Sequence, residues 1–304
     1  MFAYREKDNF IYKLHPFTSV AYIFVLVLLS LIFYHPLYLA GLFLVSGGVI
    51  IASGNLREWK PYLLLSLGLL VLLMLVNAVF VHAGSTVLLT GPRVPLLGTL
   101  KITLEAICFS GAMGIRLLVI ISAFCFYTYA VHPDKVLKLL NKFSGKSVLA
   151  IILATRMFPL LVRDVRRISE VQRCRGVKLD YGTRRQRLRS RLPIINILLL
   201  SSLERSMQTA ESMQARGYGS GKRSFYFRDY WRPRDWLVLI PTVFALAAGI
   251  WAALQGWSAY IFYPRLESIK LDQMVMAPII VLLLAVPVIL SWGWKRWTLL
   301  RSKI

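Results

Sequence analysis

The chain has 304 residues, of which 57% are apolar, and its formal charge at pH 7 is +23. A soluble protein of this composition would have difficulty covering its surface with polar groups, and nucleic-acid binding would explain the charge but not the long apolar runs. Several of these runs approach the roughly 20 residues that a helix needs to span a bilayer. The composition therefore predicts an integral membrane protein.

Six apolar runs predict membrane-spanning helices. The first is not followed by the small-residue cleavage site of a signal peptide, so we expect it to be retained. A very short segment around His35 separates the first two runs, which predicts a tight helical hairpin. In chain order the predicted spans are Phe17–Tyr34, Pro36–Ala52, Pro61–Val81, Thr103–Val131, Trp236–Leu254 and Met276–Trp294.

Lysine and arginine predict the topology, because the cytoplasmic loops of membrane proteins are enriched in both. Residues 132–234 contain 23 Lys or Arg against 7 Asp or Glu, so +16 of the net charge lies there. We expect this segment and both termini to be cytoplasmic, and the weakly basic loops around Arg93 and Arg265 to lie outside. The chain then divides into N-terminal spans (1–131), a cytoplasmic region (132–234), and C-terminal spans with a tail (235–304).

Apolar periodicity continues inside the basic segment and predicts two amphipathic helices under the membrane. The first runs from about Val148 to Arg175, and the second begins at Pro193, a favoured first helical residue, and ends at Arg216. The five arginines of the stretch Arg184–Arg191 predict a solvated loop attracted to anionic lipids. Each helix has an apolar face in need of a partner, formed by Phe158, Leu161 and Val165 on the first and by Leu199, Leu203 and Met207 on the second.

Both amphipathic helices end in Arg-Gly. The stretch ESMQARGYG, Glu211–Gly219, is preceded 41 residues upstream by EVQRCRG, Glu170–Gly176. A glycine past a helix end supplies a left-handed cap, and a basic residue suits the negative end of the helix dipole, so capping explains either copy alone. Two copies at equivalent ends favour a second interpretation, in which each guanidinium docks into an acidic groove of another protein.

Polar residues inside the spans and a phosphate-loop-like stretch are weaker signals. Glu105 and Arg116 lie too far apart on one helix to pair, so we expect each to meet a polar partner on a neighbouring helix or, for Glu105, the interface; a substrate pathway is the alternative. Asn77 predicts a contact between helices.

Ser144–Ser147, SGKS, lacks the remaining glycine and the strand of a phosphate-binding loop. We expect no catalytic residues and no metal site, because no suitable cluster recurs along the chain.

The paired endings resemble the two Ala-Arg-Gly motifs of the transmembrane T component of energy-coupling factor (ECF) transporters, the EcfT/CbiQ family. Ala215-Arg216-Gly217 matches that motif, whereas Cys174-Arg175-Gly176 has a different first residue, which is also small and apolar. Leu14–Ser19, LHPFTS, resembles the entry to the family's first span, with His15 and Phe17 differing.

The resemblance implies an all-α polytopic membrane protein in which Arg175 and Arg216 insert into two ATP-binding cassette ATPase subunits, identical or paralogous. The apolar faces of the two coupling helices would contact a substrate-binding S component that captures a vitamin or a transition-metal ion such as cobalt or nickel. The alternative for these faces is packing against the chain's own spans. The chain itself would not be an enzyme and would need no cofactor or nucleic acid, because the partner ATPases bind ATP and Mg.

Two other functions are compatible with a basic cytoplasmic segment. A membrane insertase or ribosome-docking anchor would use it to contact RNA phosphates, and its binding would weaken steeply with salt. A membrane enzyme would use it to hold an anionic lipid substrate and would turn over when purified alone.

Overall fold

The structure, a computed structural model, describes residues 9–80, 84–94, 98–131, 136, 145–177, 179, 181–221, 231–263 and 271–296. The chain forms two units, one of Met1–Val136 with Tyr230–Ile304 and one of Leu137–Asp229. The regular structure of the described residues is helical apart from one β-hairpin, so the predicted all-α fold class is confirmed. The predictions for the termini and for the loop around Arg265 lie outside the described residues.

The first unit contains six long helices, and the predicted spans correspond to them within a few residues at most ends. They are α1 (Pro16–Ile32), α2 (Pro36–Ser53), α3 (Leu56–Phe80), α4 (Leu104–Ala130), α7 (Pro233–Leu254) and α8 (Leu271–Arg296). Within the described part of the chain, all of these except α1 are long and apolar enough to cross a membrane. Helix α1 has 17 residues, or about 26 Å, which is at the short end of what a span requires.

Two of the spans begin with the same local device. His15 and His35 each precede a proline, and each imidazole Nδ1 accepts a hydrogen bond from the backbone N–H two residues later, at 3.2 Å. The proline supplies a backbone angle suited to a first helical residue, and the imidazole satisfies one of the amides that has no partner within the helix. These two caps were not predicted from the sequence.

Contacts between helix ends agree with six alternating spans. His15, at the start of α1, donates its backbone N–H to Asp235 at the start of α7, and the Tyr12 hydroxyl bonds with Asn55 just before α3. At the other side, the backbone N–H of His35 donates to the carbonyl of Ser258, beyond the end of α7. Each contact joins ends that the predicted topology places on one side of the membrane.

The core of this unit lies where α2 packs on α4 and α8, α1 packs on α4 and α7, and α3 packs on α4. Small residues allow the closest approaches, as expected for helices that pack in lipid. At Gly249 on α7, for example, a β-carbon would overlap the Leu29 side chain of α1. The side chains fully buried in this core include Leu29, Phe33, Leu39, Leu42, Ile50, Ile280 and Leu284.

Polar groups inside the spans bond to neighbouring elements. Asn77 on α3 donates to the Ser110 hydroxyl of α4 at 2.9 Å, which confirms the predicted contact between helices. Arg116 donates to the carbonyl of Phe33 at 2.7 Å, and its guanidinium lies 4.5 Å from the centre of the Tyr34 ring. It therefore stabilises the negative end of the α1 dipole, where carbonyls lack partners within the helix.

A two-stranded antiparallel hairpin, which was not predicted from the sequence, follows α3. It consists of β1 (Val87–Val94) and β2 (Gly98–Thr103), with a register irregularity between Thr90 and Arg93. Gly91 and Pro92 lie at that irregularity, and a proline inside a strand argues against the assignment because it cannot donate a ladder hydrogen bond.

The residues at the entry to this hairpin bind Glu105 at the start of α4. One carboxylate oxygen accepts hydrogen bonds from the backbone amides and hydroxyls of Ser85 and Thr86, at 2.6 to 3.2 Å. Glu105 is 1% exposed, so these bonds replace water around its charge. Its partner is therefore a turn, rather than the neighbouring helix expected from the sequence.

Gly114 provides a test of the close packing between α3 and α4. A β-carbon there would lie 3.1 Å from the Leu70 Cβ, which cannot rotate away, and would also overlap the rest of that side chain. At Gly111, one turn earlier, the nearest atom is the Met74 Cε at 4.0 Å. We expect Gly114→Ala to lower the free energy of unfolding by about 1 kcal/mol or more, despite the better helix propensity of alanine.

Gly111→Ala is the control, because it gains the same propensity, about 1 kcal/mol, without the overlap. Thermal unfolding of the purified protein in micelles would compare the two variants. Equal midpoints for the two would contradict the packing described.

The second unit contains α5 (Gly145–Cys174) and α6 (Arg184–Ala215), which contact each other. Two predictions here were wrong. Helix α6 begins at Arg184 and contains Pro193 in its interior, and the stretch Arg184–Arg191 forms its first two turns rather than a loop. Gln186 Oε1 accepts a hydrogen bond from the backbone N–H of Thr183 at 3.0 Å, as in a capping box, and this signal outweighs the proline.

Candidate docking site

The C-terminus of α5 forms a six-residue cap around the first motif. The backbone N–H of Gly176 donates to the carbonyl of Arg173 at 2.9 Å, and that of Val177 donates to Gln172 at 3.1 Å. Gly176 has φ of +85°, the left-handed conformation that glycine adopts at no steric cost. This is the Schellman arrangement, and it leaves Arg175 as the residue at which the helix ends.

The C-terminus of α6 repeats the arrangement at the second motif. The backbone N–H of Gly217 donates to the carbonyl of Gln214 at 2.9 Å, and that of Tyr218 donates to the carbonyl of Met213 at 3.0 Å. The φ angle of Gly217 is +74°. Arg216 occupies the position that Arg175 occupies at the end of α5. The two motifs therefore have the same backbone geometry at the ends of two separate helices.

Capping alone does not distinguish these ends from others in the chain. Gly256, at the end of α7, also has a φ of +74°. The backbone N–H groups of Gly256 and Trp257 donate to carbonyls of that helix in the same pattern. The residue before Gly256 is Gln255, whereas an arginine precedes the glycine in both motifs. The arginine, rather than the turn, is the shared feature in need of a function.

Both motif arginines are exposed, as are Cys174, Ala215 and the two glycines. Within the described residues neither the Arg175 nor the Arg216 guanidinium makes a hydrogen bond or an ion pair. A β-carbon at Gly176 would meet no atom within 4 Å. Each tip is thus an accessible planar cation with five donors available to a partner.

The six apolar residues predicted to form partner faces are accessible in the structure. Leu161 is half-buried, and the other five are exposed, with 61% exposure at Leu203 and 57% at Phe158. Apolar side chains exposed along amphipathic helices are typical of a surface that another protein or the membrane covers. The five exposed residues are Phe158, Val165, Leu199, Leu203 and Met207.

One contact between α5 and α6 was not predicted from the sequence. The guanidinium of Arg205 donates to the carboxylate of Asp164 at 2.8 Å. The sequence contains a pattern that relates the two residues. They are 41 positions apart, the same offset that separates the two motifs.

Comparison of the sequence with known proteins identifies its family. Residues 7–226 match the family described as CbiQ, cobalt transport protein. Two curated relatives, each described as energy-coupling factor transporter transmembrane protein EcfT, match over most of their length. The protein from Macrococcus caseolyticus is 23% identical over 78% of this chain and 91% of its own, and the protein from Bacillus selenitireducens is 25% identical over 81% and 92%. The chain belongs to the EcfT/CbiQ family of ECF transporter T components.

A third relative from the EcfT/CbiQ family is more similar over a shorter segment. The EcfT protein from Streptococcus thermophilus is 35% identical over 155 residues, which are 47% of this chain and 59% of that relative. The family and the apolar helices together identify a multi-pass membrane protein and a transporter subunit.

Proposed function

We propose that this T component couples ATP hydrolysis by two cytoplasmic ATP-binding cassette subunits to the uptake of a substrate held by a separate S component. Helices α5 and α6 would be the coupling helices. Arg175 and Arg216, with the flanking residues of Cys174–Gly176 and Ala215–Gly217, would insert into a groove on each ATPase.

The observation that carries this proposal is the pair of matching helix ends. Two tips with the same cap geometry and accessible guanidinium groups suit two copies of one partner, or two related partners. A guanidinium fork binds a carboxylate through two parallel hydrogen bonds, which gives a docked helix end both affinity and a fixed orientation.

The apolar faces of α5 and α6 support contact with the S component. Leucine, phenylalanine and methionine side chains exposed on two helices form a surface that an apolar membrane partner could cover. In this arrangement the ATPases move the helix tips, and the faces transmit the motion to the S component. A vitamin or a transition-metal ion would then be imported, and the S component would decide which.

The T component would have no catalytic activity of its own. ATP and Mg would be bound by the partner ATPases, and this chain would need no cofactor. Residues 132–234 and both termini would face the cytoplasm, where the ATPases reside.

Affinity purification of the full chain from membranes of its native host tests the proposal. We expect ATP-binding cassette subunits to be recovered at two per T component, together with a small membrane protein as S component. Recovery of ribosomes or RNA in their place, or turnover of a lipid by the chain alone, would contradict it.

Cys174 tests the proposed orientation because it is exposed beside the first tip. In a Cys108→Ala/Cys125→Ala background, we expect a membrane-impermeant maleimide to label Cys174 in inverted vesicles and not in right-side-out vesicles. A second reporter, Gln255→Cys in a background without other cysteines, is exposed beyond the end of α7 and should show the opposite pattern. Labelling of Cys174 from outside would contradict a cytoplasmic docking site.

A further inference from the structure

The only ion pair between α5 and α6 in the described residues joins equivalent positions of the two helices. Asp164 lies 11 residues before Arg175, and Arg205 lies 11 residues before Arg216. At a rise of 1.5 Å per residue, each tip is about 16 Å from this contact. Measured along each helix, the pair is therefore equally far from both tips, and the point where it joins the two helices is here called the crossing.

The charges around the crossing are reversed between the two helices. Helix α5 has Arg163 followed by Asp164, where α6 has Glu204 followed by Arg205. Exchanging the two helices about the crossing would exchange acid for base at both positions. Equivalent positions of the two helices thus have complementary charges, although most other residues of the two helices differ.

Few apolar side chains in the described part of this unit are fully buried. Across residues 149–177, 179 and 181–221, the buried apolar side chains are those of Leu179 and Ile194. The Asp164 and Arg205 side chains are only 25% and 30% exposed, so their interaction is less screened than one at an open surface.

Arg205 depends on Asp164 for its charge compensation. Its Nη2 atom donates to the carboxylate, while its Nη1 atom is buried and has no hydrogen-bond partner among the described residues. Removing the carboxylate would leave a partly buried guanidinium with no opposite charge in contact. Such a side chain is expected to turn towards water, and the ion pair then no longer restrains rotation of the two helices.

We propose that Asp164 and Arg205 are positioning residues that fix the angle between the coupling helices and so the separation of the two arginine tips. Helix crossing angles scatter by about 15–20° around their preferred values. A rotation of about 15° over an arm of about 16 Å moves a tip by about 4 Å, more than the tolerance of a bidentate hydrogen bond. The pair would thus keep both tips in register with two ATPases, an inference that rests on the proposed function.

Distance measurement between the tips of the full chain in lipid nanodiscs tests the geometry without any partner. Spin labels would be attached to Cys174 and to Ala215→Cys in the Cys108→Ala/Cys125→Ala background. We expect Asp164→Arg or Arg205→Asp to broaden the pulsed-EPR distance distribution and shift its mean by about 4 Å or more. The double variant Asp164→Arg/Arg205→Asp should restore the original distribution, because the two positions are equivalent about the crossing.

Glu204→Arg and Arg163→Asp are matched controls. Each has the same change in net charge as the corresponding test variant, at the adjacent position of the other helix, and each replaces an exposed side chain without an ion pair among the described residues. We expect both controls to retain the original distance distribution. A single reversal at the crossing that behaves like its control, or a double exchange that fails to restore the distances, would overturn the proposal.

Recovery of ATPase subunits from native membranes separates this proposal from the proposed function. We expect recovery to fall at least tenfold in the single reversals and to return in the double exchange. Full recovery in a variant whose tips have shifted would show that the pair does not position the docking groups. A separate outcome is that Arg175→Glu/Arg216→Glu leaves recovery of the ATPase subunits intact while the distance between the tips still responds to substitution of Asp164 and Arg205. In that case the docking role of the tips fails and the positioning role of the ion pair stands.

Discussion

Reversing the charge of both tips, Arg175→Glu with Arg216→Glu, is expected to abolish recovery of the ATPase subunits with the T component. Truncating or reversing one partner of a hydrogen-bonded charge pair at an interface costs about 2–5 kcal/mol, or roughly 30-fold to a few thousand-fold in affinity. Two tips on one scaffold bind cooperatively through their effective concentration, so we expect each single reversal to weaken recovery and the double to eliminate it. Quantitative mass spectrometry of the purified complex is the measurement.

The control for this variant is Arg185→Glu/Arg189→Glu at the opposite end of α6. It changes the net charge by the same amount, and both side chains are exposed. Docking through the tips predicts normal recovery in this control. Equal loss in both double variants would show that the partner responds to overall basicity, as an RNA would, and would contradict a specific site.

Lysine at the tips tests by geometry whether the partner is a protein with a specific docking site or an RNA. Arg175→Lys/Arg216→Lys retains the charge but replaces a planar fork by a point charge. Contacts with phosphates accept a point charge, whereas a bidentate carboxylate contact does not. We therefore expect recovery to fall with lysine and to remain insensitive to moderate salt in the wild type.

The spans were predictable because a bilayer imposes length and apolarity on each segment independently of its neighbours. That constraint placed the start of α2 at Pro36 and the end of α7 at Leu254. The arginine tips were predictable for a similar reason. A helix end depends on local sequence, and a glycine such as Gly176 or Gly217 indicates where the helix ends. Such features need no knowledge of what lies far along the chain.

The features that were not predicted have different causes. Asp164 and Arg205 meet only because two helices cross, and neither residue is unusual within its own helix. The start of α6 was placed at Pro193 because proline favours a first turn, although the Thr183 cap ten residues earlier competes successfully. The hairpin was missed because its strand contains Pro92, a residue that local rules exclude from paired strands.

The second large effect is expected at Asp235, which ties the start of α7 to the start of α1. Its two carboxylate oxygens accept hydrogen bonds from the backbone N–H groups of His15, at 2.7 Å, and Arg232, at 2.9 Å. Asp235 is 1% exposed, so neither amide can turn to water in its place without moving a helix end. The carboxylate also lies at a helix N-terminus, where the dipole favours negative charge.

We expect Asp235→Ala to lower the free energy of unfolding by about 3 kcal/mol or more, because hydrogen bonds to a charged acceptor contribute about 1.5–3 kcal/mol each and both donors lose their partner. Asp235→Asn retains one carbonyl acceptor of two and should lie between alanine and the wild type. The control is Glu58→Ala, which removes an acidic side chain from the first turn of α3 and should cost only the dipole contribution of about 0.3–1 kcal/mol. Denaturant or thermal unfolding in micelles would rank the three. If Asp235→Ala lowers the free energy of unfolding no more than Glu58→Ala does, the two backbone hydrogen bonds do not hold α1 and α7 together.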